Sequence, residues 1–235
     1  MTNRYNTGVF VGETILKYGI DSPEHIPDFY NYPDKVEYQF NSKGFRDKEW
    51  PQLQSELTNT PWIFGDSFIV GLGQPENQRI SSLLGAINIS MSGASNDWIA
   101  RMCAQVIQDY QPRCIAVHWT YLQRREDPDT TKLDYERRLY YTEESLMNKS
   151  LNLANIKHHI TTIEQLAQSN QVCCVHSFVS EPLEKQSHVL ELQPLVENML
   201  PRIPQTDFSR DEWHYGIETS QQYAQGISEI WKTKY

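Results

Sequence analysis

Short apolar runs alternate with segments of helical periodicity along most of this chain. Four runs have the length and apolar content of buried strands: 61–64, 86–89, 114–117 and 172–179. Four segments repeat apolar residues every three or four positions, which predicts helices at about 76–84, 96–111, 143–168 and 216–232. Strands that alternate with helices form parallel sheets, so we expect an α/β fold, a three-layer α/β/α sandwich with a central parallel sheet.

Residues 1–60 lack this pattern. They are rich in Tyr, Asn, Pro and Asp, which favour turns, yet they hold enough aromatic residues to pack on a surface. We therefore predict an irregular N-terminal extension packed on a main domain at 61–235. Within that domain, the charged segment 123–142 is expected to be an insertion or exposed loop. The proline-rich segment 180–210 is expected to be mostly connection, with a short helix around 189–199.

Composition narrows the class of protein. The 235 residues include 21 Lys and Arg against 30 Asp and Glu, a formal net charge of −9 at pH 7, and 39% are hydrophobic. This content suits a folded domain and excludes general disorder. An acidic surface repels phosphate groups, which argues against nucleic acid and anionic membranes as main partners. No apolar run approaches the roughly 18 residues that span a bilayer.

The cysteines and the amino end bear on the compartment. Cys173 and Cys174 are neighbours in an apolar run, and neighbouring side chains of a strand point to opposite faces. This placement is typical of buried, reduced thiols. The amino end is too short and too weakly apolar for a secretory leader. We therefore expect the cytoplasm or another reducing compartment.

Candidate chemistry lies where parallel sheets bind ligands, beyond the carboxyl ends of the strands. The first strand runs into Gly65-Asp66-Ser67, and the loop before the last helix holds Asp211 and His214. Each motif alone is weak, because Gly-Asp-Ser forms turns and Asp caps helices. A serine becomes nucleophilic beside a base that a third group orients. We predict Ser67 as nucleophile, His214 as general base and Asp211 as the residue that orients His214.

These motifs resemble the conserved blocks of the SGNH (GDSL) hydrolase family. The similar segments are Gly65-Asp66-Ser67-Phe68 for the first block, 88–95 for the second, Asp211-Glu212-Trp213-His214 for the fifth, and 41–46 for a lead-in found in some members. The resemblance covers about residues 41–235. It implies a flavodoxin-like sandwich, ester hydrolysis through an acyl-serine, and an oxyanion hole that includes the N–H groups of Ser67 and Gly93.

One block departs from the family. Its third block, Gly-x-Asn-Asp, supplies an Asn donor to the oxyanion, but here the third strand runs into His118-Trp119-Thr120-Tyr121. We expect the hydroxyl of Thr120 to replace that donor, with the ring N–H of His118 as the alternative. Loss of one oxyanion donor costs on the order of 10²–10³ in rate. The departure therefore predicts a differently built oxyanion hole and leaves open a non-catalytic binding or structural module.

The expected substrate is a small acyl ester. Trp119, Tyr121 and Trp213 flank the predicted site and could stack on sugar rings, which favours O-acetyl groups on carbohydrate. The chemistry requires no metal and no cofactor. Cys174 and His176 lack companion ligands nearby in the sequence, and the predicted role of this pair is core packing.

Two other features carry alternatives. The Gly71-x-Gly73 pair leaves a flavodoxin-like nucleotide binder as a third candidate, although no Walker lysine follows it. Arg124 and Arg125 belong to a charge cluster that we expect to be solvated, with binding of an anionic substrate group as the alternative. The oligomeric state does not follow from the sequence.

Overall fold

A computed structural model describes residues 5–21, 36–179 and 191–234. Six strands lie in these ranges: β1 (Thr14–Ile15), β2 (Tyr38–Gln39), β3 (Trp62–Gly65), β4 (Ile87–Ser90), β5 (Cys114–Trp119) and β6 (Cys173–Phe178). The helices are α1 (Gln54–Asn59), α2 (Ser67–Val70), α3 (Ile80–Leu84), α4 (Asn96–Tyr110), α5 (Asp134–Arg137), α6 (Glu143–Met147), α7 (Lys149–Ser169) and α8 (Ile217–Lys234). Short 3₁₀ turns occur at Glu76–Gln78 and Gln193–Leu195.

The central sheet has four parallel strands in the order β4-β3-β5-β6. The predicted fold class is therefore confirmed. The chain forms β3 first, then β4 on one side of β3, and then β5 on the other side of β3. Such a reversal opens a crevice at the carboxyl ends of β3 and β5, which is where ligands bind in open α/β sheets.

Alternation along each strand divides the core into two layers. In β3, Trp62 and Phe64 pack into the layer that holds residues of α4 and α7, while Ile63 packs into the layer that holds residues of α3 and α8. All four residues of β3 are buried. Burial on both faces explains why β3 is a continuous apolar run in the sequence.

Two predicted helices are interrupted. The segment 76–84 becomes a 3₁₀ turn and α3, because Arg79 has an extended backbone (φ −67°, ψ 147°). The segment 143–168 becomes α6 and α7, because Asn148 is also extended and its side chain accepts a hydrogen bond from the N–H of Leu151. Asn at such a position caps a new helix, and periodicity alone does not reveal the break.

Residues before 61 contribute to the main core. Phe45, Trp50 and Leu57 are buried in the same cluster as Trp62. Earlier in the chain, β1 pairs with β2 in an antiparallel ribbon. The domain boundary at residue 61 stays a prediction. The segment 123–142 contains α5. The helix expected around 189–199 falls partly outside the described residues, which are helical at 191–192 and form a 3₁₀ turn at Gln193–Leu195.

None of the helices in the described residues is both long and apolar enough to cross a membrane.

Candidate active site

Two distant segments of the sequence, one with Ser67 and one with Asp211 and His214, meet beyond the carboxyl end of β3. The Oγ of Ser67 lies 2.7 Å from Nε2 of His214, and Nδ1 of His214 lies 2.6 Å from Oδ2 of Asp211. The carboxylate accepts the Nδ1–H proton, which leaves the lone pair of Nε2 directed at the Ser67 hydroxyl. The structure thus brings the three predicted residues together, in a geometry in which Nε2 could accept the serine proton.

The nucleophile candidate is the first residue of α2. Asp66 caps this helix by accepting the N–H of Phe68 at 3.1 Å, and its own side chain is fully buried. The N–H of Ser67 has no intrahelical partner at this position, because the first N–H groups of a helix have none. In the part of the chain that the structure describes, neither this N–H nor that of Gly93 donates to another group.

Gly93 has a left-handed backbone with φ +80°, which orients the loop after β4. Leu139 lies near it, since a Cβ on Gly93 would be 3.3 Å from Leu139 Cδ2. The N–H groups of Ser67 and Gly93, which have no hydrogen-bond partner among the described residues, are therefore available to a ligand oxygen, as the resemblance implies.

The loop that carries the base is organised around Asp211. Oδ1 of Asp211 accepts the N–H groups of Trp213 and His214 at 3.0 Å each and the hydroxyl of Ser209 at 2.7 Å. Burial alone would raise the pKa of Asp211, but the hydrogen bonds from His214 and Ser209 outweigh it and lower the pKa below its ordinary value. The carboxylate is therefore ionised at neutral pH and can stabilise an imidazolium.

A close backbone approach joins this loop to the turn after α2. A Cβ on Gly73 would lie 2.7 Å from Ser209 Oγ and 2.9 Å from the backbone nitrogen of Arg210, and Gly73 has φ +71°. The carbonyl of Gly73 accepts the N–H of Arg210 at 3.2 Å. Only glycine permits both the conformation and the contact, so this position helps to bring His214 to Ser67.

The predicted third oxyanion donor is wrong. Thr120 is buried, and its hydroxyl donates to Oδ2 of Asp66 at 2.5 Å. Its only proton is therefore engaged and is not directed at an oxyanion. His118, the alternative, is also engaged. Its Nδ1 lies 2.8 Å from Ser177 Oγ and its Nε2 3.3 Å from the hydroxyl of Tyr215. Burial lowers the pKa of His118 to about 4, which keeps it a neutral residue of the core.

The three predicted aromatic contacts separate. Trp119 is fully buried in the core, where its indole N–H donates to Nδ1 of His176 at 2.9 Å, so its assignment to substrate binding is wrong. The physical reason is strand alternation, which turns Trp119 to the face opposite His118. Trp213 is 57% exposed beside His214, and Tyr121 is half-buried under the guanidinium of Arg124. The assignment of these two residues to substrate binding stays a prediction.

Arg46, in the segment that resembles a family lead-in, holds the turn after the nucleophile. Its guanidinium is fully buried and donates to the carbonyls of Val70 at 3.1 Å, Gly71 at 2.5 Å and Gln74 at 2.8 Å. Burial and the nearby charge of Arg79 lower its pKa to about 9. Arg46 thus satisfies carbonyls that end α2, which stabilises the turn between Ser67 and Gly73.

Sequence reasoning missed a contribution from the N-terminal segment. The carboxylate of Asp21 is fully buried and accepts from Arg210, at 3.0 Å from Nε and 2.5 Å from Nη2, and from the hydroxyl of Tyr38. That hydroxyl accepts the N–H of Gly73 at 2.8 Å. Asp21 and Arg210 are 189 positions apart, so no local pattern announces the pair.

Cys174 and His176 acquire a companion, Glu164, in the group of possible metal ligands found among the described residues. Nε2 of His176 lies 3.0 Å from Glu164 Oε1 and 3.1 Å from Cys174 Sγ. However, Nδ1 of His176 accepts the Trp119 N–H, so Nε2 carries the proton of the neutral ring. A metal on Nε2 would shift that proton to Nδ1, against the indole N–H. The residues fit a buried hydrogen-bonded group better than a metal site.

Comparisons with known proteins place the fold. No family profile and no curated protein matches the sequence. A solved structure named TesA superposes with a TM-score of 0.54 at 12% identity, covering 75% of this chain and 100% of that one. A Bacteroides fragilis NCTC 9343 protein assigned as an acylhydrolase superposes with a TM-score of 0.51 at 13% identity, covering 80% of this chain and 100% of that one. A GDSL-like lipase from Bacteroides thetaiotaomicron VPI-5482 has a TM-score of 0.49 at 12% identity, with 79% and 93% covered. This chain therefore shares its α/β/α fold with TesA and with the Bacteroides fragilis protein.

Proposed function

We propose that this protein is a serine ester hydrolase that acts through an acyl-serine intermediate. The observation that carries the proposal is the continuous set of short contacts from Asp211 through His214 to Ser67, at 2.6 Å and 2.7 Å. The unspent N–H groups of Ser67 and Gly93 add donors for an oxyanion. The fold, shared with proteins named as acylhydrolases, is compatible with this chemistry.

The reaction proceeds in two halves. Oγ of Ser67 forms a bond to the acyl carbon while Nε2 of His214 takes the hydroxyl proton and the carbonyl electrons move onto oxygen. The tetrahedral species collapses, the bond to the alcohol breaks, and His214 returns the proton to the departing alcohol. Water then attacks the acyl-serine with His214 again as base, which releases the carboxylic acid and restores Ser67. Asp211 stabilises the imidazolium in both halves.

The proposed acyl group is small, such as acetyl. Leu139 lies close to Gly93, whose N–H would bind the oxyanion, and we expect its side chain to limit the length of the acyl group. Trp213, exposed next to His214, supports a carbohydrate as the alcohol because an exposed indole offers a flat apolar surface. Trp213→Ala should raise KM for an O-acetylated xylo-oligosaccharide and leave KM for p-nitrophenyl acetate unchanged. Equal effects on both esters would exclude the sugar contact.

The free state of all four cysteines supports a reducing compartment, which remains a proposal.

A non-catalytic module on the same scaffold is the second candidate, favoured by a specific observation. The hydroxyl of Thr120, the residue at the third-block position, donates to Asp66 and so offers no donor to an oxyanion.

A fluorophosphonate probe with intact-mass detection separates the two functions. The enzyme predicts one adduct on the folded protein, lost in Ser67→Ala and retained in the matched control Ser169→Ala, whose hydroxyl lies on the exposed surface of α7. No adduct between pH 6 and 9, together with no hydrolysis of p-nitrophenyl acetate, would refute the hydrolase and leave the binding module.

A further inference from the structure

Arg124 contacts residues adjacent in sequence to both Ser67 and Gly93. Its Nη1 lies 2.8 Å from Oδ2 of Asp66, 2.8 Å from Oγ1 of Thr120 and 3.5 Å from the carbonyl of Ala94. Asp66 immediately precedes Ser67, and Ala94 immediately follows Gly93. The guanidinium therefore bridges the segment that contains Ser67 and the segment that contains Gly93.

The donors of Arg124 are only partly used. A guanidinium has five N–H donors, and the three acceptors named above all contact Nη1. Among the described residues, Nε is buried without a partner and Nη2 has no hydrogen-bond partner. The ring of Tyr121 stacks on the guanidinium at 4.8 Å and restrains it. An arginine this enclosed, with its side chain 15% exposed, is expected to have its remaining donors met by an oxygen.

A purely structural role accounts for only part of this geometry. Asp66 is fully buried and needs a counter-charge, and Nη1 alone supplies it through the 2.8 Å contact. That role does not explain the Nε and Nη2 donors, which have no hydrogen-bond partner among the described residues. Nor does it explain why the residue that replaces the family's Asn, Thr120, is itself held by the same guanidinium.

We propose that Arg124 is the third oxyanion donor, a guanidinium that replaces the side-chain amide missing from the third block. This inference rests on the proposed hydrolase function. As Ser67 attacks, the carbonyl oxygen gains negative charge between the N–H groups of Ser67 and Gly93, and the arginine donates a charge-assisted hydrogen bond to it. Such bonds are stronger than those from a neutral amide. Arg124 would thus compensate for the departure of Thr120 from the family pattern.

The test compares oxygen and sulfur in the carbonyl position. Thionoesters develop their charge on sulfur, a weak hydrogen-bond acceptor, so an oxyanion donor assists them much less than oxygen esters. Arg124→Gln should lower kcat for p-nitrophenyl acetate by about 10²–10³, with KM nearly unchanged. Its effect on the matching p-nitrophenyl thionoacetate should stay below about tenfold, so the ratio of the two rates collapses. The control Arg113→Gln removes an exposed arginine before β5 and should leave the ratio as in the wild type.

Equal losses for both esters would overturn the proposal and assign Arg124 to the pairing of Asp66 alone. Unchanged rates for both would also overturn it. If Arg124→Gln does not fold, Arg124→Lys decides in its place, because it keeps the charge next to Asp66 but loses the fork of donors. The proposal then expects a selective loss for the oxygen ester, and equal losses overturn it. Failure of the hydrolase function itself looks different, since the wild type would then show neither hydrolysis nor a Ser67-dependent adduct.

Discussion

The N-terminal segment is expected to stabilise the catalytic loop through one buried carboxylate, and Asp21→Asn tests this. Asp21 is fully buried, and Arg210, with its side chain 9% exposed, donates to it through two nitrogens. Arg210 directly precedes Asp211. Tyr38 links the same carboxylate to the N–H of Gly73, so one group connects β2, the turn after α2 and the loop of His214.

The magnitude follows from the charge that the substitution leaves behind. Asn has the size of Asp but no charge, so Arg210 loses its counter-ion in a nearly dry environment. Removal of one partner of a buried ion pair costs about 3–5 kcal/mol. We expect the lower end, about 3 kcal/mol, because the amide oxygen of Asn still accepts one hydrogen bond. For a chain of this length, that loss corresponds to a fall in Tm of about 6–12 °C.

Urea unfolding gives the free energy, and hydrolysis of p-nitrophenyl acetate gives kcat for the same samples. Tyr38→Phe, which removes only the hydroxyl, should cost about 1 kcal/mol. Glu144→Gln, on the exposed surface of α6, is the control and should lie within about 0.5 kcal/mol of the wild type. If Asp21→Asn matches the wild type in stability and in kcat, the carboxylate does not hold the loop and the reasoning is refuted.

Three further predictions concern the base, the core and the turn after Ser67. Asp211→Asn should lower kcat about 10⁴-fold with the fold intact, because the wrong imidazole tautomer is then favoured; a loss below tenfold in steady-state assays would contradict this. His118 has its pKa lowered from the ordinary 6.5 to about 4, so below pH 6.5 the unfolded chain binds a proton that the folded chain refuses. Stability present above pH 6.5 is thus lost as pH falls towards 4, by up to about 3 kcal/mol, and His118→Gln should flatten this slope in unfolding curves recorded from pH 4 to 8. Arg46→Lys should cost at least about 2 kcal/mol in thermal unfolding, since buried carbonyls after Ser67 lose their donors.

Local patterns in the sequence were sufficient to predict the layers and the residues that meet at the carboxyl end of β3. The strands at Trp62–Gly65 and Cys114–Trp119 are mostly apolar because both faces of the sheet are covered, so their composition reflects that burial directly. The positions of Ser67, Asp211 and His214 also followed, because each lies next to a predicted element end and parallel strands bring their carboxyl ends together.

Tertiary structure alone decided which neighbours those residues have. Trp119 and Thr120 are adjacent in the sequence, yet one enters the core and the other meets Asp66, because the partner of a side chain depends on its face and on distant segments. Arg124 belongs to a charged stretch typical of solvent, but packing brings it against Asp66, 58 positions earlier. Asp21 reaches Arg210 across 189 positions. Periodicity is a property of nearby residues, whereas a hydrogen bond between distant segments exists only once the whole chain has packed.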